Sequence, residues 1–314
     1  MPKALITGAN GQIGSELIIE LRKKYGKQNV IGLDLHPALP EIADGPFFAM
    51  DATDSAGIRK IVEDNKINEI YHLVGILSAT GEKNPELAWK VNMESLKNVL
   101  DLAKEKKLKI FWPSSIAAFG PTTPRDMTAQ RTTLEPNTMY GVTKVAGELL
   151  CNYYNHKFGV DVRSVRFPGL LSWKTPPGGG TTDYAVAIFY DGIKTGKYDC
   201  FVNEKTVLPM MYMPDAIRSI IELMNADSSK LTVRTSYNLA AVSFSAKELE
   251  TAVKKKIPKL KVTYTPDFRQ KIADSWPKTI DDSAARKDWG WKHTFSTEDI
   301  VGDMYSNLVK KLKG

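Results

Sequence analysis

The sequence contains few of the residues that build metal or redox-cysteine sites. Its 314 residues include two cysteines, Cys151 and Cys200, and four histidines that stand singly along the chain. The separation of the cysteines fits neither a metal-ligand pair nor a redox-active pair. We therefore expect no bound metal ion and no metal-assisted chemistry.

Long apolar runs are also missing. No stretch approaches the roughly 20 residues that a membrane helix needs, and residues 1–6 already follow a strand pattern, which leaves no room for a signal or transit peptide. With 42% hydrophobic and 25% charged residues, the chain can bury a full core. These features predict a globular, cytoplasmic protein with no membrane partner.

A concentrated basic patch is the third absence. The formal net charge is +7, but the lysines of 104–107, 254–256 and 310–311 fall at predicted helix ends or exposed faces. The sequence has no basic stripe interleaved with aromatic residues. We expect this charge to be solvated surface, and we predict no nucleic-acid partner.

The first 170 residues alternate short apolar runs with segments of helical period, a pattern typical of a parallel sheet covered on both faces. Right-handed crossovers between such strands build a doubly wound sheet. We therefore predict an α/β fold with a Rossmann-type domain over residues 1–170. Six strands are expected, at 3–7, 29–34, 47–51, 69–74, 109–114 and 161–166, with long helical segments at 85–105 and 139–158.

This regularity stops after residue 170. Residues 176–182 are too rich in proline and glycine to form a helix or a strand. We expect residues 171–314 to form mainly a smaller substrate-binding lobe, interleaved with the first domain, over the carboxyl ends of the strands, where open α/β sheets bind ligands. Helices are predicted there at 183–195, 215–226, 245–256 and 297–312.

A glycine-rich turn joins the first predicted strand to the first helix. Gly8, Gly11 and Gly14 are spaced three apart, which lets the backbone approach a pyrophosphate and points a helix N-terminus at it. Asp34 ends the next strand, where an acid accepts hydrogen bonds from a ribose 2′-hydroxyl and repels a 2′-phosphate. The pattern predicts NAD rather than NADP, the alternative being a structural turn with Asp34 capping a loop.

Two further strand ends are candidate cofactor contacts. Asp51 follows the third strand, where its carboxylate could accept a hydrogen bond from adenine or cap the loop. Gly75 follows the fourth strand and would let a cofactor reach the backbone, although simple packing also explains it. The candidate contacts in these segments are Gly8, Asn10, Gly11, Gln12, Ile13, Asp34, Asp51, Ala52, Leu73, Gly75 and Phe167.

Tyr140 and Lys144 lie four residues apart and would share one face of a helix. An ammonium beside a phenol favours the phenolate, so we expect Lys144 to lower the pKa of Tyr140 and make it a general base. Both are also candidate cofactor contacts. An ordinary surface pair is the alternative.

Ser115 ends the fifth predicted strand, where its hydroxyl could orient a substrate oxygen. Loop filler is the alternative reading of this serine. Together with Tyr140 and Lys144 it forms a set suited to removing a proton from an alcohol while hydride leaves for a nicotinamide.

These motifs resemble the extended short-chain dehydrogenase/reductase family over essentially the whole chain. The resemblance implies a Rossmann domain with a smaller substrate lobe, an NAD cofactor, a homodimer and a catalytic set in which Asn92 joins the serine, tyrosine and lysine. Ser115 corresponds to the catalytic serine because it stands five residues before Gly120. The residues that carry the resemblance are Gly8, Gly11, Gly14, Asp34, Asp51, Ser115, Tyr140 and Lys144.

Within that family, the segments 167–172, 177–184 and 274–277 are similar to those of short-chain L-threonine 3-dehydrogenases. This resemblance implies oxidation of the L-threonine 3-hydroxyl to 2-amino-3-ketobutyrate, with metabolic coupling to 2-amino-3-ketobutyrate CoA ligase. A Gly-Thr-rich loop could hold the zwitterion with its amides and hydroxyls, or be a flexible linker, and Ser78 could contact substrate or cap a helix. The candidate substrate contacts are Ser78, Ser115, Ile116, Tyr140, Gly179, Thr181, Thr182 and Trp276.

Two other functions remain open at this point. A nucleotide-sugar epimerase or dehydratase would share the fold and the catalytic set, but its larger substrate should need an arginine-lined diphosphate pocket. The second lobe offers no evident arginine cluster. A non-catalytic dinucleotide sensor would not need Tyr140 and Lys144.

Overall fold

The computed structural model describes residues 1–313, which divide into two compact units. Unit 1 consists of residues 1–115, 139–166 and 217–237. Unit 2 consists of residues 116–138, 167–216 and those from 238 onward. Each unit is therefore assembled from three separate segments of the chain.

Unit 1 is built on a seven-stranded sheet with the order β10, β6, β5, β4, β1, β2, β3. The pairings from β3 through β2, β1 and β4 to β5 are all parallel. The strand order reverses direction between β1 and β4, which makes their carboxyl ends the switch point of a doubly wound sheet. The Rossmann-type fold and its six predicted strands are confirmed. The strands of the whole chain are β1 Ala4–Thr7, β2 Val30–Asp34, β3 Phe47–Ala49, β4 Glu69–His72, β5 Lys109–Ser115, β6 Asp161–Phe167, β7 Gly169–Leu171, β8 Lys197–Cys200, β9 Val207–Tyr212, β10 Tyr237–Asn238, β11 Val242–Ser245 and β12 Lys261–Tyr264.

The helices follow the amphipathic segments of the sequence, with one interruption. Residues 85–105, expected as one helix, form α4, a π-helical turn at Lys90–Glu94 and then α5. A π turn inserts one residue into the helical ladder, often at a functional position. The helices are α1 Gly14–Tyr25, α2 Ser55–Asn65, α3 Ser78–Lys83, α4 Pro85–Trp89, α5 Ser95–Lys106, α6 Met139–Phe158, α7 Tyr184–Thr195, α8 Met213–Asn225, α9 Ala246–Lys254, α10 Arg269–Asp274, α11 Ser283–Trp289 and α12 Thr297–Lys313.

The core of unit 1 packs α2, α5 and α6 against the sheet. Ile70 and Ile110 on neighbouring strands are completely buried, and Trp112 on β5 is 3% exposed. Gly147 allows α6 to approach this tryptophan, because a Cβ there would lie 2.5 Å from the indole. The close approach fixes α6 against the end of β5.

Unit 2 contains two small sheets, one with the order β11, β9, β7 and one pairing β12 with β8. The four helices predicted in this region are present as α7, α8, α9 and α12, with the later part of α8 belonging to unit 1. Arg125 ties two loops of unit 2 together by donating from Nε to the carbonyl of Trp276 at 2.8 Å. Within residues 1–313, every helix lacks the length or the apolar content needed to cross a membrane.

Candidate functional site

The turn after β1 begins with a glycine whose backbone conformation and close packing disfavour a side chain. Gly8 has φ +75°, and a Cβ there would lie 3.0 Å from the backbone of Leu73 and Val74, which follow β4. Gly14 opens α1, and a Cβ at this position would overlap the carbonyl oxygen of Gly8. The two glycines thus bring the start of α1 to the switch point of the sheet.

The start of α1 has the character of an anion site. Among residues 1–313, the backbone N–H groups of Gln12 and Ile13 have no hydrogen-bond partner. Unpaired N–H groups at a helix N-terminus carry partial positive charge and suit a phosphate. This region therefore fits the pyrophosphate of a dinucleotide.

Asp34 lies at the end of β2 beside the glycine turn. Its Oδ2 accepts a hydrogen bond from the backbone N–H of Asn10 at 3.0 Å. The Asn10 side chain donates to the carbonyl of Pro37 at 2.9 Å and accepts from the N–H of Leu39 at 3.1 Å. Asn10 therefore holds the loop after β2 so that the carboxylate faces the turn, which fits a ribose hydroxyl.

The other candidate cofactor residues follow β3 and β4. The exposed Asp51 accepts a hydrogen bond from the N–H of Thr53 at 2.8 Å, so one of its oxygens closes the loop. Gly75 lies after β4, where a Cβ would meet only Asn92 Oδ1, at 3.6 Å. The backbone at Gly75 is therefore open to a ligand.

The carboxyl end of β5 faces α6 through the catalytic candidates. Ser115 hydrogen-bonds with the hydroxyl of Tyr140. Lys144 is buried and donates from Nζ to the carbonyl of Pro113 at 2.6 Å, while Nζ lies 5.3 Å from the centre of the Tyr140 ring. The structure thus brings the serine, tyrosine and lysine together.

The pKa of Tyr140 differs from the expectation drawn from the sequence. Burial raises the pKa of Tyr140 to about 12, although the hydrogen bond from Ser115 opposes this rise. Burial lowers the pKa of Lys144 to about 8, opposed in part by the negative charge of Glu148. The expected lowering of the Tyr140 pKa by Lys144 was therefore wrong for this structure, because loss of hydration on burial is the largest influence on this phenol.

Asn92 lies in the π-helical turn and connects the chain after β4 with α6. Its Oδ1 accepts from the N–H of Ile76 at 2.7 Å, and its Nδ2 donates to Thr143 Oγ1 at 3.1 Å. Thr143 in turn donates to the carbonyl of Tyr140 at 2.8 Å. Asn92 thus fixes the first turn of α6, which carries Tyr140.

His72 is a buried residue of this region for which sequence reasoning predicted no role. Its Nδ1 lies 2.7 Å from Thr7 Oγ1 and its Nε2 lies 3.1 Å from Ser95 Oγ. Burial lowers the pKa of His72 to about 3, so the ring is neutral and bridges β1 to α5. Its partners come from distant segments, so only the position of a histidine at a strand end could have indicated it.

The remaining substrate candidates have defined places in their own units. Ser78 is buried and is the first residue of α3, following the N-cap, so it is not the cap itself. In unit 2, Ile116, Phe167 and Trp276 are buried apolar side chains.

The Gly-Thr-rich loop of unit 2 is already hydrogen-bonded. The amides of Gly178, Gly179 and Gly180 all donate to Asp183 Oδ2, at 2.7 to 2.8 Å. Thr181 is 1% exposed, and its hydroxyl has no partner within residues 1–313. The loop amides proposed to hold a zwitterion thus bind a carboxylate of the chain itself, while the buried Thr181 hydroxyl has no hydrogen-bond partner among residues 1–313.

No metal site accompanies these groups. Within the described part of the chain, no cluster of three or more histidine, cysteine, aspartate or glutamate side chains could hold a metal ion.

Comparison with known proteins places the chain in a family. Residues 4–240 match the model of the NAD dependent epimerase/dehydratase family. The chain belongs to this family. The glycine turn, Asp34 and the Tyr140–Lys144 pair all fall within the matched residues, so the family's cofactor, NAD, agrees with the geometry of the turn.

Similar proteins span nearly the whole length of the chain. A solved holo structure of L-threonine dehydrogenase from Cupriavidus necator is 52% identical with a TM-score of 0.96, covering 98% of this chain and 100% of that one. The L-threonine dehydrogenase from Clostridium difficile is 49% identical with a TM-score of 0.97, covering 100% and 99%. The mitochondrial L-threonine 3-dehydrogenase of Sus scrofa is 47% identical over 96% of this chain and 82% of that protein.

Proposed function

We propose that the protein is an NAD-dependent L-threonine 3-dehydrogenase that oxidises the 3-hydroxyl of L-threonine to 2-amino-3-ketobutyrate. The observation that carries the proposal is the meeting of Ser115, Tyr140 and Lys144 at one edge of the sheet. Its support is the close similarity, over nearly the full length, to proteins named for this reaction.

Tyr140 is the proposed general base. Its Oη would take the proton of the substrate hydroxyl, while Ser115 hydrogen-bonds the same reacting oxygen. A bound oxidised NAD would supply both the hydride acceptor and a positive charge near this site. Additional positive charge favours the phenolate, so it would bring the pKa of Tyr140 down from about 12 toward the working range.

Lys144, Asn92 and Asp34 are the proposed holders of the cofactor and of the base. Lys144 would bind the nicotinamide ribose and stabilise the phenolate once its ammonium leaves the carbonyl of Pro113. Asn92 fixes the turn that carries Tyr140 through Thr143. Asp34 would accept the hydroxyls of the adenine-side ribose, which makes the site selective for NAD. The other proposed cofactor contacts are Gly8, Asn10, Gly11, Gln12, Ile13, Asp51, Ala52, Leu73, Gly75 and Phe167.

Within unit 1, the proposed substrate contacts are Ser78 and the reacting hydroxyls of Ser115 and Tyr140. In unit 2, the buried hydroxyl of Thr181 suits the carboxylate or ammonium group of an amino acid, because a buried polar group without a partner is costly unless a ligand pairs with it. The remaining proposed contacts are Ile116, Gly179, Thr182 and Trp276.

A homodimer is the proposed assembly. Val142, Leu149 and Tyr153 lie at spacings of seven and four along α6 and are 40 to 59% exposed. They share a face of the helix away from Lys144, and Trp89 on α4 adds a further exposed apolar ring, at 45%. Two copies pairing through such helices would bury these side chains.

The proposed metabolic place is threonine catabolism in the cytoplasm. The product, 2-amino-3-ketobutyrate, loses carbon dioxide unless a following enzyme consumes it. A CoA ligase that cleaves this β-keto acid is therefore the proposed metabolic partner.

The test is the appearance of NADH absorbance when the purified protein is mixed with NAD and a panel of substrates. L-threonine should give rapid NADH formation, while D-threonine and UDP-galactose should give none. L-serine should be slower, since one methyl group is worth about 1 to 3 kcal/mol of discrimination. Absence of turnover with L-threonine, together with tight binding of a UDP-sugar, would instead support a nucleotide-sugar epimerase.

A further inference from the structure

The face of α6 that carries Tyr140 and Lys144 continues for one more turn, to Glu148. Tyr140, Lys144 and Glu148 are spaced by four residues and share this face. Three consecutive residues at the end of β5 bind them. Ser115 hydrogen-bonds Tyr140, the carbonyl of Pro113 accepts from Lys144, and Ser114 donates to Glu148 Oε1 at 2.6 Å.

Glu148 is the most deeply anchored member of this face. Its side chain is 1% exposed, and Arg166, at 3%, pairs with both of its oxygens. Arg166 Nε donates to Oε1 at 2.8 Å and Nη2 donates to Oε2 at 2.6 Å. A bidentate arginine pair has fixed geometry, so it holds the carboxylate in one position. A buried pair of this kind is weak evidence for stability alone.

The charged and titratable groups around Lys144 are few. Tyr140 and Cys151 lie on the same helix, and His72 on β4 is neutral. Cys151 is also neutral, because burial raises the pKa of its thiol. Among the described residues, Glu148 is thus the carboxylate that acts on Lys144, and the Arg166 guanidinium faces it from β6.

We propose that Glu148, held by Ser114 and Arg166, is a positioning residue that sets the register of α6 on β5 and keeps the Lys144 ammonium charged. The carboxylate acts through Lys144 and touches neither substrate nor cofactor. This inference rests on the proposed function only for its effect on turnover, because the charge state of Lys144 exists in the cofactor-free protein.

If Glu148 keeps Lys144 charged, replacing Glu148 and replacing Arg166 should shift the pKa of Lys144 in opposite directions. Glu148→Gln removes a negative charge that acts on Lys144, which favours loss of the Lys144 proton. Arg166→Gln removes the positive charge that faces Glu148, which favours retention of the proton on Lys144. The pKa of Lys144 should therefore fall by about one unit in the first variant and rise by about one unit in the second.

Trp112 provides a readout that needs neither substrate nor cofactor. Lys144 Nζ lies 4.5 Å from the centre of its ring, so the emission of this indole should respond to protonation of the amine. Tryptophan emission is titrated from pH 6 to 11 in each variant, and the Trp112→Phe protein provides the background. The wild-type inflection is expected near pH 8. Opposite shifts in the two variants support the proposal, and an unmoved inflection in folded Glu148→Gln protein overturns it.

Ser114→Ala tests the position of α6 on β5 independently of charge. It still tests that part of the proposal if Glu148→Gln and Arg166→Gln fail to fold. It should lower kcat about tenfold without moving the Trp112 inflection, because it removes a hydrogen bond that holds the charged Glu148 carboxylate and leaves the charges of Glu148 and Arg166 in place. Ser164→Ala is the matched control, since Ser164 is a buried serine whose hydroxyl contacts Ser236. Equal turnover in the two variants would overturn the register role. If the wild type has no threonine activity, the emission titration still judges the charge role.

Discussion

The glycine turn after β1 and the edge formed by β5 and α6 hold their functional groups in different ways. At the turn, backbone geometry decides: Gly8 has φ +75° and packs against the chain after β4, and a main-chain N–H holds Asp34. At the edge, burial raises the pKa of Tyr140 and lowers the pKa of Lys144. The spacing of residues therefore specifies where a group lies more reliably than which charge it carries.

The largest expected effect is at the edge, where one hydroxyl carries the chemistry. Tyr140→Phe should lower kcat about 10³-fold, because general-base catalysis contributes roughly 10² to 10⁴-fold. NAD binding, measured by quenching of tryptophan fluorescence, should stay close to wild type. Tyr153→Phe, which alters an exposed tyrosine of the same helix, is the control and should retain turnover. Preserved turnover in Tyr140→Phe would show that Tyr140 is not the general base.

Substitution at the start of the glycine turn should weaken NAD binding by disturbing the backbone rather than by changing a charge. Gly8→Ala should weaken NAD binding about 30-fold, because its Cβ would meet the backbone of Leu73 and Val74, and overpacking costs about 1 to 3 kcal/mol. Gly159→Ala has a matching φ of +70° with nothing within 4 Å, so it carries the conformational strain alone. Both variants should lose unfolding free energy, but only Gly8→Ala should lose NAD affinity. Equal NAD binding by the two would show that close packing at the turn is not required.

Asp34 places a carboxylate beside the glycine turn. Asp34→Asn keeps a side-chain oxygen for the N–H of Asn10 but removes the negative charge. The ratio of NADP to NAD dissociation constants should fall roughly tenfold, because a 2′-phosphate is no longer repelled. Asp44→Asn, at an exposed acid paired with Lys27, is the control and should leave the ratio unchanged. An unchanged ratio in Asp34→Asn would show that another group selects the cofactor.

The smallest expected effect concerns His72, which connects β1, the strand of the turn, to α5. Its pKa is about 3 in the folded protein against about 6.5 when unfolded, so only the unfolded chain takes up this proton between those values. Stability from His72 is therefore complete above pH 6.5 and is lost as the pH falls. Between pH 7 and 5.5 the loss should be about 1 kcal/mol by urea unfolding. His72→Gln should show a shallower pH dependence, and an equal slope would contradict the buried neutral ring.

Much of unit 1 could be predicted because its signals are local. The strand ending at Thr7, the turn at Gly8 and the strand ending at Asp34 each follow from short patterns, and the structure has them within one or two residues of the expected bounds. The pairing of Tyr140 with Lys144 follows from helical spacing. These features need no knowledge of distant residues.

The features that were missed depend on contacts between distant segments. β10 has only two residues, Tyr237 and Asn238, so it leaves no periodic pattern. The π turn at Lys90–Glu94 preserves the apolar face of the helix on either side, so period alone reads it as one helix. The pKa shifts of Tyr140 and Lys144 depend on their burial in the folded protein. The occupation of the loop amides by Asp183 likewise depends on the loop's three-dimensional path.

The measurement that tests the central claim most directly follows the hydrogen on C3 of L-threonine. The protein is incubated with NAD and L-threonine carrying deuterium at C3, and the NADH formed is analysed by mass spectrometry. The account predicts one deuterium in each NADH and none in the Tyr140→Phe reaction within the same time. NADH without the label, or no NADH from L-threonine, would contradict oxidation of the 3-hydroxyl at this site.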